Sequence, residues 1–281
     1  MIGIIGGTGL YSIDGLQIEE NRTIETPFGN PSAPVVIGEL SGRKIAFLPR
    51  HGVHHQILPS EINYRANLWA LKTAGARKIV SISATGSLVE EIAPGDLAVP
   101  NQYLDWTRGK RVSSYFGNGI VGHISTAEPA CPALTQQIKE SAERIGTQIH
   151  FQKAYACVEG PRLGTRVESF TLRNAGCHLV GMTNVPEVFL ARELQLCYCT
   201  IAVATDYDCW KDDPSQHVTL EKVMELYGKS LDRIRSILTQ LIQSGEPQKK
   251  CQCGKSLENA VLTHASALSN EHKKILAFMK S

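Results

Sequence analysis

Asp206 and Asp208 stand one residue apart at the end of the apolar run Ile201-Ala-Val-Ala204. In an extended chain residues i and i+2 point to one side. Both carboxylates are therefore expected to face one space at the C-terminal end of a buried strand, where open α/β sheets bind ligands. An ionised carboxylate only accepts hydrogen bonds, whereas a protonated one also donates. The pair suits a ligand that presents an amino group beside a ring nitrogen, as adenine does. A turn carrying two solvated acids is the plainer alternative on this segment alone.

Three other strand ends offer donors to an anion. The glycines of Gly6-Gly-Thr8-Gly9 let backbone N–H groups close on a ligand, and Thr8 adds a hydroxyl. This is neither a P-loop nor a full dinucleotide fingerprint. Arg50 and His51 end an apolar run; the planar guanidinium matches phosphate, and His51 is read as a second donor. Ser83-Ala84-Thr85-Gly86 ends another, where the Ser83 and Thr85 hydroxyls and the local backbone can donate. None of the three is specific alone, but together they favour a phosphate site. His51, His54 and His55 lack further ligands at a telling spacing, so no metal is expected there. Met182 and Thr183 end a fourth strand, a pattern more often core than site. Arg162 and Arg166, with Glu159 and Glu168, are read as buried ion pairs fixing a loop.

The elements needed to position these residues alternate along the chain. Strands are expected at Ile2–Ile5, Val35–Leu40, Lys44–Pro49, Lys78–Ser83, Asp96–Pro100, Gln152–Val158, Cys177–Met182 and Cys197–Ala204. Ser41-Gly42 reads as a hairpin turn. Helices are expected at Pro59–Ala74 with Ser60 as N-cap, Pro132–Ile145, Phe170–Ala175, Pro186–Glu193 and Leu220–Ile242, with a last one from Ser269. Such alternation points to an α/β fold. The polar break near 244–250 divides a domain at 1–243 from a C-terminal appendage at 244–281, packed on or near the same domain.

The chain has 281 residues, 29 basic and 27 acidic, with 42% hydrophobic and 20% charged residues. That supports a sizeable core and argues against disorder. A net charge of +2 does not suggest nucleic-acid or membrane-surface binding, and no apolar run is long enough to span a bilayer. No basic region precedes the apolar residues of the N-terminus, so a strand rather than a signal peptide is expected there, and a cytoplasmic location. Eight cysteines are more than a cytosolic enzyme needs, but in a chain this long they do not form a small-scaffold disulfide framework. Cys251-Gln-Cys253 lacks the second ligand pair that a structural zinc site needs. Pairing with Cys131, Cys197 or Cys199 stays open, with free thiols the plainer reading.

The motifs together are recognisable. Gly3-Ile-Ile-Gly-Gly-Thr-Gly-Leu10, Thr26-Pro-Phe-Gly29, Arg50-His-Gly52, Pro59-Ser60 with Asn63-Tyr64 and Ala66-Asn67, Glu159-Gly-Pro-Arg162, Glu168-Ser-Phe170, Met182-Thr183 with Val185-Pro-Glu187, and Ala204-Thr-Asp-Tyr-Asp-Cys-Trp210 resemble the trimeric purine nucleoside phosphorylase superfamily. Within it they are most similar to the 5′-methylthioadenosine phosphorylases, from residue 2 to about 240. The resemblance implies a phosphorylase-type α/β fold with a central mixed, barrel-like sheet flanked by helices. It also implies a homotrimer with active sites near subunit boundaries, no metal or organic cofactor, and phosphorolysis of methylthioadenosine in purine and methionine salvage. Carried over by position, Thr8, Arg50, His51, Ser83, Ala84 and Thr183 hold phosphate. Met182 lies under the ribose and Phe170 against the base. Asp206 and Asp208 hold the adenine edge. His55, Leu220 and Val223 sit near the methylthio group. Ser83 stands where close relatives often have threonine, and keeps the hydroxyl. Prokaryotic members with a C-x-C near the end include some whose cysteines form disulfides; free thiols are the expectation here.

The chemistry fits that resemblance. Breaking an N-glycosidic bond leaves positive charge on the ribose and negative charge on the purine. Phosphate beneath the sugar answers the first and an acid at N7 the second. Asp206 is the expected acid, which requires burial or its neighbour to raise its pKa. An ionised Asp208 accepts from a 6-amino group and opposes a 6-oxo group. That argues against the nearest alternative, a 6-oxopurine nucleoside or methylthioinosine phosphorylase. A water-using hydrolase and a non-catalytic adenosine-binding protein are the further alternatives, disfavoured by Arg50 and by competent residues at every catalytic position.

Overall fold

The computed structural model describes residues 1–6, 15–109, 111–211, 220–245 and 250–281, with backbone alone at 220–224. Thr8 lies outside the described residues, as do the side chains of Leu220 and Val223.

Among the described residues nine strands form one mixed sheet: β1 Ile2–Gly6, β2 Gln17–Arg22, β3 Val35–Leu40, β4 Arg43–Pro49, β5 Lys78–Ser87, β6 Leu97–Trp106, β7 His150–Val158, β8 Leu179–Gly181 and β9 Cys197–Asp206. β5 is the branching strand. Its first residues pair with β1, its last two with β8, and Lys78 to Gly86 with β9. Since β8 joins β7, β7 joins β6 and β6 returns to β9, five strands close into a barrel. β1, β4, β3 and β2 extend from it as an open wing. This is the expected mixed, barrel-like α/β sheet.

Strand burial explains what the sequence made legible. β9 is buried along nearly its whole length, as an apolar run flanked on both faces requires. β2 is exposed throughout and rich in charge, the character of an edge strand; it has no apolar alternation and was not anticipated. The Ser41-Gly42 hairpin forms, with φ of 53° and 75°, the left-handed pair that a two-residue turn between twisted strands favours. β5 and β6 run further than apolar content indicated, because pairing with β9 and β7 carries them past the hydrophobic residues.

Among the described residues six α-helices cover the sheet: α1 Tyr64–Thr73, α2 Pro132–Arg144, α3 Arg166–Asn174, α4 Asn184–Glu193, α5 Leu220–Ser244 and α6 Asn270–Lys280. α1 starts later than expected and is capped by Asn63, not Ser60. Asn63 Oδ1 accepts from Ala66 N at 3.1 Å while its amide donates to the Phe28 carbonyl at 2.7 Å. α3 starts earlier than expected, through a reciprocal Thr165–Glu168 capping box. The last helix follows Ser269 as expected, and Ser269 caps it, accepting from His272 N at 3.1 Å.

The core has two main parts. One joins the sheet to α1, α4 and α6 through residues such as Leu68, Trp69, Val188, Leu190 and Met279; the other joins it to α2 and α5 through Leu134, Ile138, Ile234 and Leu238. Phe278 of α6 stacks on Trp69 at 3.9 Å, and buried Lys72 donates to the carbonyls of Leu194 and Met279 at 2.8 and 2.9 Å. The C-terminal segment is thereby fixed to α1 and α4.

Candidate active site

Arg50 follows β4 directly and is almost completely buried. Its Nε and Nη2 donate to Glu187 Oε2 and Oε1 at 2.8 and 2.9 Å, Nη2 also to Ser81 Oγ at 2.6 Å, and Nη1 to the Ile82 carbonyl at 3.1 Å. A guanidinium has five N–H groups. One therefore stays without a partner among the described residues and is available to an anion. Burial alone would lower the Arg50 pKa, but the facing Glu187 carboxylate outweighs it and holds the cation firmly charged. Tyr198 Oη donates to Glu187 Oε1 at 2.8 Å, and Asn184 bridges Ser81 and Tyr198 at 3.1 and 3.0 Å. The arginine is locked in place before any ligand arrives.

Two hydroxyls lie beside this network. Ser83 on β5 and Thr183 at the end of β8 place their oxygens 3.3 Å apart, with Tyr155 Oη 3.5 Å from Ser83. Thr183 stands at the N-cap of α4 yet makes no side-chain cap, which leaves its hydroxyl to this cluster. Ala84 follows, exposed. Gly181 admits Tyr155: a Cβ there would collide with Tyr155 Oη and lie 2.7 Å from Cζ.

His51 differs in role from the sequence reading. Its Nδ1 lies 2.8 Å from the Ile57 carbonyl, which only accepts, so Nδ1 carries the hydrogen. Burial, then the neighbouring Arg50 charge, pushes its pKa down to about 4. At neutral pH Nε2 is thus an acceptor, suited to a protonated phosphate oxygen and not the second donor anticipated. His55 is exposed and stacks on His51 at 4.4 Å.

The carboxylate pair assembles differently from expectation too. Asp206 is the last residue of β9, but Asp208 has φ +49° and opens a short 3-10 turn. The two meet through a turn, not along an extended strand: Asp208 N donates to Asp206 Oδ1 at 2.7 Å. Gly86 makes the room, since a Cβ there would lie 3.0 Å from Asp206 Oδ1 and 3.2 Å from Asp208 Cβ. Burial is the main cause that pushes the Asp206 pKa up to about 6, against the hydrogen bonds it accepts from Thr205 and Asp208. Burial raises Asp208 as well. Thr205 Oγ1 lies 2.8 Å from Asp206 Oδ2 and 3.2 Å from the Thr85 carbonyl. The one Thr205 hydroxyl hydrogen is shared between these two acceptors.

Met182 is half-buried, and its sulfur passes so close to Gly160, at φ +71°, that a Cβ there would lie 2.5 Å from Sδ. Phe170 on α3 is exposed, one residue from the buried Ser169 that faces Asp208.

The chain matches the family model described as the phosphorylase superfamily over residues 1–243. It belongs to the phosphorylase superfamily. An S-methyl-5′-thioadenosine phosphorylase of Geobacter sulfurreducens is 41% identical, covering 98% of this chain and 96% of its own. One from Thermofilum pendens is 45% identical over 93% and 98%. Among solved structures, a methylthioadenosine phosphorylase from an Antarctic soil metagenomic library has a TM-score of 0.92 at 41% identity, covering 99% and 98% of the two chains. A methylthioadenosine phosphorylase from Schistosoma mansoni in complex with adenine has 0.84 at 35%, covering 98% and 97%.

In this phosphorylase Arg50, Ser83 and Thr183 are brought together with His51 beside them, and Asp206 joins Asp208. Several supporting residues had not been singled out. Glu187 carries a readable signal, a lone acid inside the apolar run Val188-Phe-Leu-Ala191 and Val185-Pro186. Arg111 carries none. It is buried and donates to the carbonyls of Met182 and Val185 at 2.7 Å each and of Glu159 at 2.9 Å, and to Glu159 Oε1 at 3.1 Å. One side chain thus ties the ends of β7 and β8 together. Glu159 pairs with Arg111, while Arg162 pairs with Glu168 at 2.7 Å on an exposed surface, not a buried one.

Proposed function

We propose that this phosphorylase cleaves 5′-methylthioadenosine with inorganic phosphate, releasing adenine and 5-methylthioribose 1-phosphate. The observation that carries the reading is Asp206. It is a buried carboxylate with its pKa raised to about 6, beside a second carboxylate at the mouth of a strand whose neighbour β5 supplies the anion-binding hydroxyl Ser83. Phosphate is held by the remaining N–H of Arg50 and the hydroxyls of Ser83 and Thr183, with His51 accepting from its protonated oxygen and Ala84 beside them; the resemblance adds Thr8. Met182 lies under the ribose and Phe170 covers the base. The resemblance assigns His55, Leu220 and Val223 to the methylthio group.

As the C1′–N9 bond breaks, its electron pair moves to the purine. The Asp206 proton passes to N7, and a phosphate oxygen bonds to C1′. Asp208 accepts from the 6-amino group. Fixing phosphate against the sugar removes much of the entropic barrier, and proton transfer by a positioned carboxyl contributes about 10²–10⁴-fold. The reaction balances without metal or organic cofactor. By the resemblance the enzyme is a homotrimer, and its net charge of +2 speaks against nucleic-acid or membrane-surface binding; no described helix is long and apolar enough to cross a bilayer.

The test is adenine release from methylthioadenosine with and without phosphate, beside methylthioinosine. Phosphate-dependent release from the amino substrate is expected. Preference for methylthioinosine would move the assignment to the 6-oxopurine branch, and release without phosphate would indicate hydrolysis.

A further inference from the structure

Four of the eight cysteines meet at a place the proposed chemistry does not use. The sulfurs of Cys131, Cys197, Cys251 and Cys253 all lie within 4.8 Å of one another. They come from three parts of the chain. Cys131 is the N-cap of α2, Cys197 opens β9, and the C-x-C lies in the segment after α5. Asp206 ends the same strand that Cys197 begins, about 30 Å away at the rise of an extended chain. The cluster is therefore separate from the candidate active site.

Its geometry is that of a metal-binding cage. Four sulfurs held 2.3 Å from a zinc ion define a tetrahedron with edges of about 3.8 Å; Cys197 and Cys251 lie 3.4 Å apart. The C-x-C spacing alone supplies two ligands. The fold adds the missing pair from α2 and β9. Cys253 opens a 3-10 turn and is buried, while Cys197 is anchored by its backbone N–H to the Arg77 carbonyl at 3.1 Å.

The surroundings suit thiolates. A zinc ion with four thiolates carries a net charge of about −2, which needs compensation. Cys131 Sγ accepts from Leu134 N at 3.4 Å at the start of α2, where the helix dipole favours negative charge. Arg192 Nη1 donates to Cys253 Sγ at 3.2 Å, and the Arg192 carbonyl is held by Ser256 Oγ at 2.6 Å. Such outer hydrogen bonds orient metal-bound sulfurs.

We propose that Cys131, Cys197, Cys251 and Cys253 form a tetrathiolate zinc site that fastens the segment after α5 to the start of β9. All four coordination positions are taken by protein, so the site is structural, not catalytic. Each thiol gives its proton to solvent as its sulfur bonds the ion, and no electrons are transferred.

The test is metal analysis of the full-length protein purified under reducing conditions, followed by cobalt replacement. About one zinc per chain is expected, surviving dialysis and released by a thiol-directed mercurial. Cobalt should give the charge-transfer and ligand-field bands of tetrahedral thiolate coordination. Chelation should lower Tm, and added zinc should restore it. The Cys251→Ser/Cys253→Ser variant should lose the metal, while Cys177→Ala should keep it. Little zinc in the wild type together with no cobalt thiolate spectrum would overturn the proposal. So would disulfides among these four cysteines in protein alkylated at lysis. The wild-type cobalt spectrum decides the matter even if the double variant does not fold. None of these readouts depends on nucleoside cleavage.

Discussion

Arg50 and Glu187, 137 positions apart in sequence, form a buried two-point ion pair at 2.8 and 2.9 Å. The pair fixes the guanidinium plane, and with it the one N–H that has no partner among the described residues and is proposed to meet phosphate. Removing a single partner of a buried pair typically costs about 3–5 kcal/mol. Glu187→Gln should therefore lower Tm and, where the fold survives, raise KM for phosphate much more than KM for methylthioadenosine. Thermal unfolding with two-substrate kinetics checks this; an unchanged phosphate KM in a folded variant would show that Glu187 does not position Arg50.

Asp206→Asn keeps shape while removing the transferable proton. Turnover of methylthioadenosine should fall by about 10²–10⁴-fold while equilibrium binding persists. Since the wild-type pKa is raised to about 6, the acid form is lost as pH rises through that value. The kcat/KM profile of the wild type should therefore decline on its alkaline side, and the variant should lack that limb. Wild-type-like turnover in the variant would remove Asp206 from the acid role.

Glu193 offers a pH test of stability. Its oxygens accept from Ser114 Oγ at 2.7 Å and Tyr115 N at 2.6 Å, yet burial dominates and pushes its pKa up to about 7. Between the ordinary carboxylate range and pH 7 the folded chain keeps a proton that the unfolded chain releases. Stability from this group is thus present at low pH and lost as pH rises through 7, at up to about 1.4 kcal/mol per pH unit. The difference in unfolding free energy between wild type and Glu193→Gln should change with that sign from pH 5 to 8. Opposite slopes from His51 cancel in the difference, and a flat difference would show that Glu193 titrates normally.

Gly181→Ala should act on phosphate through packing. The added methyl meets the Tyr155 ring, at 2.7 Å from Cζ. Overpacking of this kind costs about 1–3 kcal/mol, and pushing the ring moves its hydroxyl from Ser83. Tm should fall and phosphate KM should rise; a variant matching wild type in both would mean that the backbone yields locally without disturbing Ser83.

What could be read from the sequence follows from which forces are local. Apolar runs made β5 and β9 visible because both are buried on two faces, and Ser41-Gly42 named its own turn. The charged edge strand β2 is held by pairing with β3, a relationship no residue in Gln17–Arg22 announces. The start of α1 depended on a hydrogen bond from Asn63 to Phe28, 35 positions away.

The candidate site divides in the same way. The sequence by itself determined the chemistry available: two acids after a buried run, an arginine and hydroxyls at other strand ends, and motifs shared with a known superfamily. Only the tertiary structure decided protonation and partnership. Burial, not the adjacent acid, is the main cause of the raised Asp206 pKa, and a positive-φ turn at Asp208, not strand periodicity, brings the carboxylates together. Glu187, Arg111 and the four clustered cysteines act through contacts between distant segments. Residue types and spacing fix what a side chain can do; closure of the barrel fixes which groups lose water and which partners they meet, and those set charge and geometry.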